Sequence, residues 1–270
     1  MSGYKDNTQL NSNTPIWVGQ FESWESCVDC ASDLRPDLKT TSAFESWRWV
    51  QRQAAMYQDV KNGKVLRATS LPAFVELIET SNIFDLGGGS GWTIELLSER
   101  ALSRLNAYVF IEQSEFIEKL KLITSTSEKL EFRTLTDAST KTIQSNSLLY
   151  ANSALQYLSS DDALSSLIFG NRPNWLLIDD LQTSTGNDFY SLQRYYGSYI
   201  PCRFFCLNKL GAYLSKLGYE QIFSFPYPKQ YAEGTVPTIE GVTDLVPNMG
   251  VPLTVGFRRV SQNIQQDSSK

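Results

Sequence analysis

Ile83-Phe84-Asp85-Leu86-Gly87-Gly88-Gly89-Ser90-Gly91-Trp92 decides the fold of this 270-residue chain. An apolar strand runs directly into four glycines in five positions, and an apolar, helix-like pattern follows. Glycine allows positive φ and lets a ligand approach the backbone without meeting a Cβ. The helix beyond such a turn points its free N–H groups at that ligand. A nucleoside-triphosphate loop needs Gly-Lys-Ser/Thr after its glycines, but Trp92-Thr93 follows Gly91. A dinucleotide fingerprint needs a third glycine three residues after the second. Trp92 stands there for Gly87-x-Gly89, and Ile94 for Gly89-x-Gly91. What remains is Asp85-x-Gly87-x-Gly89-x-Gly91, a turn suited to an uncharged or cationic nucleoside–amino acid rather than a pyrophosphate.

Outward from the turn, short apolar runs alternate with helical patterns. Strands are predicted at Asn82–Leu86, Ala107–Glu112, Leu130–Leu135, Ser147–Ala151 and Trp175–Asp179. Helices are predicted at Gly91–Leu102, Glu115–Ile123, Asp161–Phe169 and Leu207–Leu217. That alternation implies parallel strands joined by right-handed crossovers. Tyr219–Tyr227 and Pro252–Val260 read as a closing antiparallel pair. The expected fold is α/β: a doubly wound, mostly parallel seven-stranded sheet with a C-terminal antiparallel strand pair. An N-terminal helical cap is expected over residues 15–80, from Trp17, Phe21 and Trp24 through Ser42–Tyr57 to Leu71–Glu79. The division is residues 1–80 as tail and cap, 81–260 as the main domain, and 261–270 as a disordered tail.

Glu112 ends the second strand, 21 residues after Gly91, where a carboxylate can accept from both ribose hydroxyls. Gln113 follows it. Asp137-Ala138 follows the third strand, where an acidic residue can face an adenine amino group. Asn152, Gln156 and Tyr157 follow the fourth, at the carboxyl edge of the sheet where ligands bind in such folds.

Composition excludes much else. The chain contains no histidine, which removes Ser-His-Asp and Cys-His catalysis and His-ligated metals. Net charge is −5 with no basic block, a poor match to nucleic acid or an anionic membrane. No run reaches the ~18 apolar residues of a membrane span, and Met1–Thr14 lacks the apolar core of a secretory signal, so a cytoplasmic setting is expected. Cys27-x-x-Cys30 and Cys202-x-x-x-Cys206 could in principle hold a metal. The first pair fits better as part of an apolar helix face, with Trp24, Ala31 and Leu34, so no metal is expected.

Asp85-x-Gly87-x-Gly89-x-Gly91 followed by Glu112 resembles the class I, Rossmann-like S-adenosylmethionine-dependent methyltransferases, over roughly residues 80–226. The resemblance implies S-adenosylmethionine as cofactor. The glycine turn (Asp85, Gly87, Gly88, Gly89, Gly91) would hold its methionine part, Glu112 and Gln113 its ribose, and Asp137 and Ala138 its adenine, with Asn152 completing the site. Trp17-x-Gly19-x-Phe21, Asn152–Leu158 and Gln193 are similar to a small bacterial family of methyltransferase-like proteins associated with surface-polysaccharide and natural-product pathways. That family has Asp-Arg where this chain has Asp179-Asp180.

The implied activity is O-directed methyl transfer to a small metabolite, sugar or peptide, with Gln156 and Tyr157 orienting the acceptor. Without histidine a carboxylate acceptor is slightly favoured, because it needs no base. A hydroxyl would require Asp137, Asp179, Asp180 or a tyrosine. The rival reading is a non-catalytic cofactor-binding or scaffold member of the fold. A homodimer is left open.

Overall fold

Two adjacent residues of a strand face opposite sides of its sheet, so a strand covered on both sides must be apolar at every position. The central runs of this chain are apolar at most positions, with Asn82, Asp85, Ser147, Asp179 and Asp180 buried among them. The computed structural model describes residues 17–34, 47–64, 69–122, 128–140, 146–195, 198–228 and 248–260. In it β2 (Asn82–Leu86) and β3 (Ala107–Ile111) are buried at every residue, and β5 (Ser147–Asn152) and β6 (Trp175–Leu181) at all but one terminal position. With β4 (Leu130–Arg133), β9 (Tyr219–Pro226) and β10 (Leu253–Arg259) they form a seven-stranded sheet in the order β4-β3-β2-β5-β6-β10-β9. β2 pairs in parallel with both β3 and β5, Asp85 lying between Phe110 and Tyr150.

Strand order reverses at β2. From there β3 and β4 extend one way and β5 and β6 the other, which opens a crevice beyond the carboxyl ends of β2 and β5. The glycine turn and the segment 152–157 enter that crevice. The closing pair does not simply extend the edge. β10 inserts between β6 and β9, antiparallel to both.

One face of the sheet carries Phe84, Leu86, Val109, Ile111, Leu149 and Ile178. These pack on Ala138 of α6 (Leu135–Thr140), Leu164 and Leu167 of α7 (Asp161–Asn171), and Leu210 and Leu214 of α8 (Leu207–Lys216). The other face carries Ile83, Tyr108, Phe110, Leu148, Tyr150 and Leu177 under Leu71, Phe74 and Val75 of α3 (Leu71–Leu77). Pro72 lies in the first turn of α3, where its missing N–H costs nothing.

Three expectations change. The helix expected over Gly91–Leu102 is two elements, a 3-10 turn at Trp92–Leu96 and α4 at Glu99–Arg104. Ser98 is extended and its Oγ accepts from the Ala101 N–H at 3.0 Å, so it starts a new helix rather than continuing one. Trp17–Phe21 is strand β1, not the start of a helix. Gly19 there has φ +72°, which a helix does not accept, and Trp17 packs edge-on against Phe204 with centroids 5.0 Å apart. β1 pairs with β7 (Phe189–Tyr195), and β7 with β8 (Ser198–Phe204), in a separate antiparallel sheet that the expected element order lacked. The helical pattern begins instead at α1 (Trp24–Leu34), whose Cys27 and Ala31 pack on Leu192 of β7. The second cap helix, α2, spans Trp47–Lys61. The expectations for residues 1–14, 42–46 and 261–270 lie outside the described residues.

Glycine at position 91 is required twice over. Its φ is +73°, and a Cβ there would lie 2.5 Å from the Phe110 ring. Gly63 has φ +78° with nothing within 4 Å. Gly91→Ala is therefore expected to lower unfolding free energy by about 3 kcal/mol, combining left-handed strain and overpacking. Gly63→Ala should cost only about 1 kcal/mol, the strain alone. Urea unfolding of both variants checks the difference, and equal costs would show that Phe110 yields freely.

Candidate functional site

The glycine turn is built by positive φ at Gly87 (+66°), Gly89 (+58°) and Gly91 (+73°). Its own N–H groups are largely engaged. Gly87 N donates to Ile111 O at 2.9 Å and Gly91 N to Gly88 O at 3.0 Å. Gly89 N donates to Glu112 Oε1 at 2.8 Å, and Ser90 N to Gln53 Oε1 at 3.2 Å. The turn thus does not present a row of empty donors, and only a five-residue 3-10 turn follows it. It offers a tightly bent, glycine-rich backbone with a carboxylate and an amide on its rim.

Asp85 holds this turn from beneath. It is buried, and its Oδ2 accepts from Thr93 Oγ1 at 2.9 Å and from Tyr108 OH at 2.7 Å. Burial pushes its carboxyl up to about 7, although both hydroxyls pull the other way. Glu112, just past β3, uses Oε1 on Gly89 N and Oε2 on the Gln113 N–H at 3.3 Å. Burial likewise raises it to about 7 against the pull of those two N–H groups. Gln113 is exposed and precedes α5 (Ser114–Lys121).

The segment after β5 touches the turn directly, since a Cβ on Gly87 would lie 2.6 Å from that of Ala154. Asn152 Nδ2 donates to Tyr150 OH at 3.0 Å. Ser153 has φ +56°, and its N–H donates to Asp179 O at 2.9 Å. Gln156 is buried, its Nε2 donating to Ser153 Oγ at 3.1 Å while its buried Oε1 has no partner among the described residues. Tyr157 OH donates to Gln193 Oε1 at 2.6 Å, tying this segment to β7. Tyr157 also packs against the cluster of Trp17, Phe189 and Phe204.

Asp137 and Ala138 sit apart from that centre. Asp137 is exposed and accepts from Thr134 Oγ1 at 2.8 Å. The Ala138 side chain lies in the core, and its carbonyl accepts from Asn171 Nδ2 at 2.7 Å.

Asp179 is fully buried and saturated with donors. Its oxygens accept from Ser70 N at 2.8 Å, Ser70 Oγ at 2.5 Å, Thr254 Oγ1 at 2.8 Å, and Thr69 Oγ1 and Tyr150 OH at 3.2 Å each. It anchors the start of α3 to the sheet. Asp180 has φ +52° and accepts from Gln182 Nε2 at 3.0 Å.

Sequence reasoning missed Gln53, Tyr108, Thr93 and the Thr69-Ser70 donors. Tyr108 and Thr93 were readable in principle, because a buried carboxylate at position 85 demands donors on the same sheet face. Gln53 carries no such signal, being one polar residue among several on α2.

No family model matches the chain, and no curated protein matches it. Solved structures do. A chain from the complex between the Haloferax volcanii methyltransferase activator Trm112 and its methyltransferase superposes with a TM-score of 0.50 at 15% identity, covering 83% of this chain and 99% of that one. The fold is the Rossmann-like fold of methyltransferases. A Methanosarcina mazei member shows 15% identity over 72% of this chain and 99% of its own, with a TM-score of 0.48. The Burkholderia thailandensis 1,6-didemethyltoxoflavin N1-methyltransferase, solved with its substrate and S-adenosylhomocysteine, shows 13% identity over 88% of this chain and 85% of its own, with a TM-score of 0.41.

The two raised carboxyls set a pH dependence. Unfolded, Asp85 and Glu112 titrate near the reference values of about 3.9 and 4.3. Folded, both titrate near 7. Between these limits the folded state binds more protons than the unfolded one, so stability falls as pH rises. Their contribution is fully present below about pH 4 and is lost as pH passes 7. Unfolding free energy measured in urea should therefore include a component that declines between about pH 4 and 7 and levels off above. Asp85→Asn should flatten that decline, and an unchanged slope would show that Asp85 is ionised throughout.

Proposed function

We propose that this chain is an S-adenosylmethionine-dependent methyltransferase, with a cap of residues 1–80 over a catalytic domain of residues 81–260. The observation that carries this reading is Glu112. Its carboxylate lies on the glycine turn at the point where strand order reverses, hydrogen-bonded to Gly89 N. The residues present suit the cofactor. A carboxylate can accept from a ribose diol, and positive φ at Gly87, Gly89 and Gly91 bends the backbone sharply beside that carboxylate. Asp137, exposed at the start of α6, can accept from an adenine amino group. When bound, the cofactor supplies an electrophilic methyl group on a sulfonium centre. The chain supplies position and a water-poor setting at the carboxyl ends of β2 and β5.

The proposed transfer is O-directed, to a small metabolite, sugar or peptide, with a carboxylate preferred over a hydroxyl as acceptor. Support comes from the state of the acidic residues. Asp179 already accepts five hydrogen bonds, which leaves it no ready base. Gln156 and Tyr157 would orient the acceptor, the Gln156 Oε1, buried and unpartnered among the described residues, being the more telling of the two. Among the described residues no helix is long and apolar enough to cross a membrane. A cytoplasmic setting goes with this reading.

Titration calorimetry tests the cofactor. S-adenosylhomocysteine should bind and NAD should not, whereas tight NAD binding with none for the thioether refutes the proposal. Glu112→Ala should weaken S-adenosylhomocysteine by about 1.5–3 kcal/mol, the range for hydrogen bonds to a charged group. The acceptor has its own signature. A carboxylate is ionised well above its reference pKa of about 4, so kcat should be flat across about pH 6–8.5. A steep ascending limb near neutrality would instead indicate a hydroxyl acceptor served by a base.

A further inference from the structure

α2 crosses the glycine turn as a strap fastened at both ends. Near its N-terminus Trp49 and Val50 pack on Phe116 and Leu120 of α5, the Trp49 and Phe116 rings lying 4.7 Å apart. Near its C-terminus Tyr57 and Val60 pack on Trp92, and Tyr57 OH donates to Glu95 Oε1 at 2.6 Å. Residues 49, 50, 53, 57 and 60 share one helical face, so the two fastenings place the residue midway between them over the turn. That residue is Gln53.

Its amide is only half used. Oε1 accepts from Ser90 N at 3.2 Å and Ser90 Oγ at 3.4 Å. A Cβ on Gly89 would lie 2.4 Å from Oε1 and 3.4 Å from Nε2, so the amide occupies the very space that glycine at position 89 leaves open. Nε2 makes no hydrogen bond among the described residues. The side chain is thus oriented by Ser90 through its oxygen, and its nitrogen has two N–H donors to give.

We propose that Gln53 is a ligand-reading residue whose amide nitrogen donates to the carboxylate end of the adenosyl amino acid held at Gly87–Gly91. The inference rests on the cofactor proposed above and adds the group that selects its amino-acid end. Glu112 would read the nucleoside end. An uncharged donor fits a carboxylate that travels with its own ammonium group, because it adds no net charge against the zwitterion. The cap and the turn would then share the ligand, so that binding also fastens α2 more firmly over the crevice.

The full chain and the variants Gln53→Ala and Gln53→Met are titrated with S-adenosylhomocysteine and with 5′-methylthioadenosine, which keeps the nucleoside and thioether but lacks the amino acid. Gln53→Met keeps side-chain length and helix propensity without a donor, and thermal melting verifies folding of each variant. The expected result is a loss of about tenfold or more for S-adenosylhomocysteine in both variants, with 5′-methylthioadenosine affinity unchanged. Equal losses for both ligands would show that Gln53 only props the turn, and would overturn the assignment. Unaltered or tighter S-adenosylhomocysteine binding would overturn it too, leaving the cofactor reading intact. Failure of the unmodified chain to bind either ligand would remove both.

Discussion

No residue but glycine fits where β2 meets the crevice. A Cβ at position 87 would strike Ala154, one at 91 would strike Phe110, and one at 89 would strike Gln53. Those three contacts come from the segment after β5, from the neighbouring strand β3 and from the cap helix α2. The turn is therefore the meeting point of every part that forms the site. Its tightness brings Glu112 within 2.8 Å of Gly89 N and Ala154 against Gly87, which sets the carboxyl ends of β2, β3 and β5 around one small volume. Shifting the turn would move all of them together.

Beneath it runs a buried polar layer on one face of an otherwise apolar sheet. Thr93, Tyr108 and Asp85 form one group, and Tyr150, Asp179, Thr69, Ser70 and Thr254 the next. Burying carboxylates there is costly unless their oxygens find donors, and Asp179 is supplied with five and Asp85 with two. The two groups also do different work. Asp85 fixes the turn to β3, while Asp179 fixes the start of α3 to β5, β6 and β10. The site is held from below by hydrogen bonds and from above by α2, packed through Trp49 and Tyr57.

The fold was legible because its central strands are buried on both faces, and such strands announce themselves as unbroken apolar runs bounded by turns. Ala107–Ile111 and Leu148–Ala151 are of this kind, and Ile83–Leu86 is broken only by Asp85. The second sheet was not legible. Trp17 and Phe21 fit a helical stripe as well as a strand, and the aromatic runs Phe189–Tyr195 and Ser198–Phe204 show no clean alternation, although Gly197 between them is a hairpin signal. The glycine turn and Glu112 were readable from spacing. The consequence of that spacing was not, since the N–H groups expected to be empty are engaged by Glu112 and Gln53. Nothing in a single sequence could pair Gln53 with Ser90 across 37 positions, because that contact depends on how α2 docks.

The bent backbone of residues 87–91 and the Glu112 carboxylate are proposed together to hold an adenosyl amino acid. A crystal structure of the chain soaked with S-adenosylhomocysteine tests it most directly. The predicted result is density running along the glycine turn, with both ribose hydroxyls within hydrogen-bonding distance of the Glu112 carboxylate. Ligand bound elsewhere, with Glu112 still closed on Gly89, would contradict it.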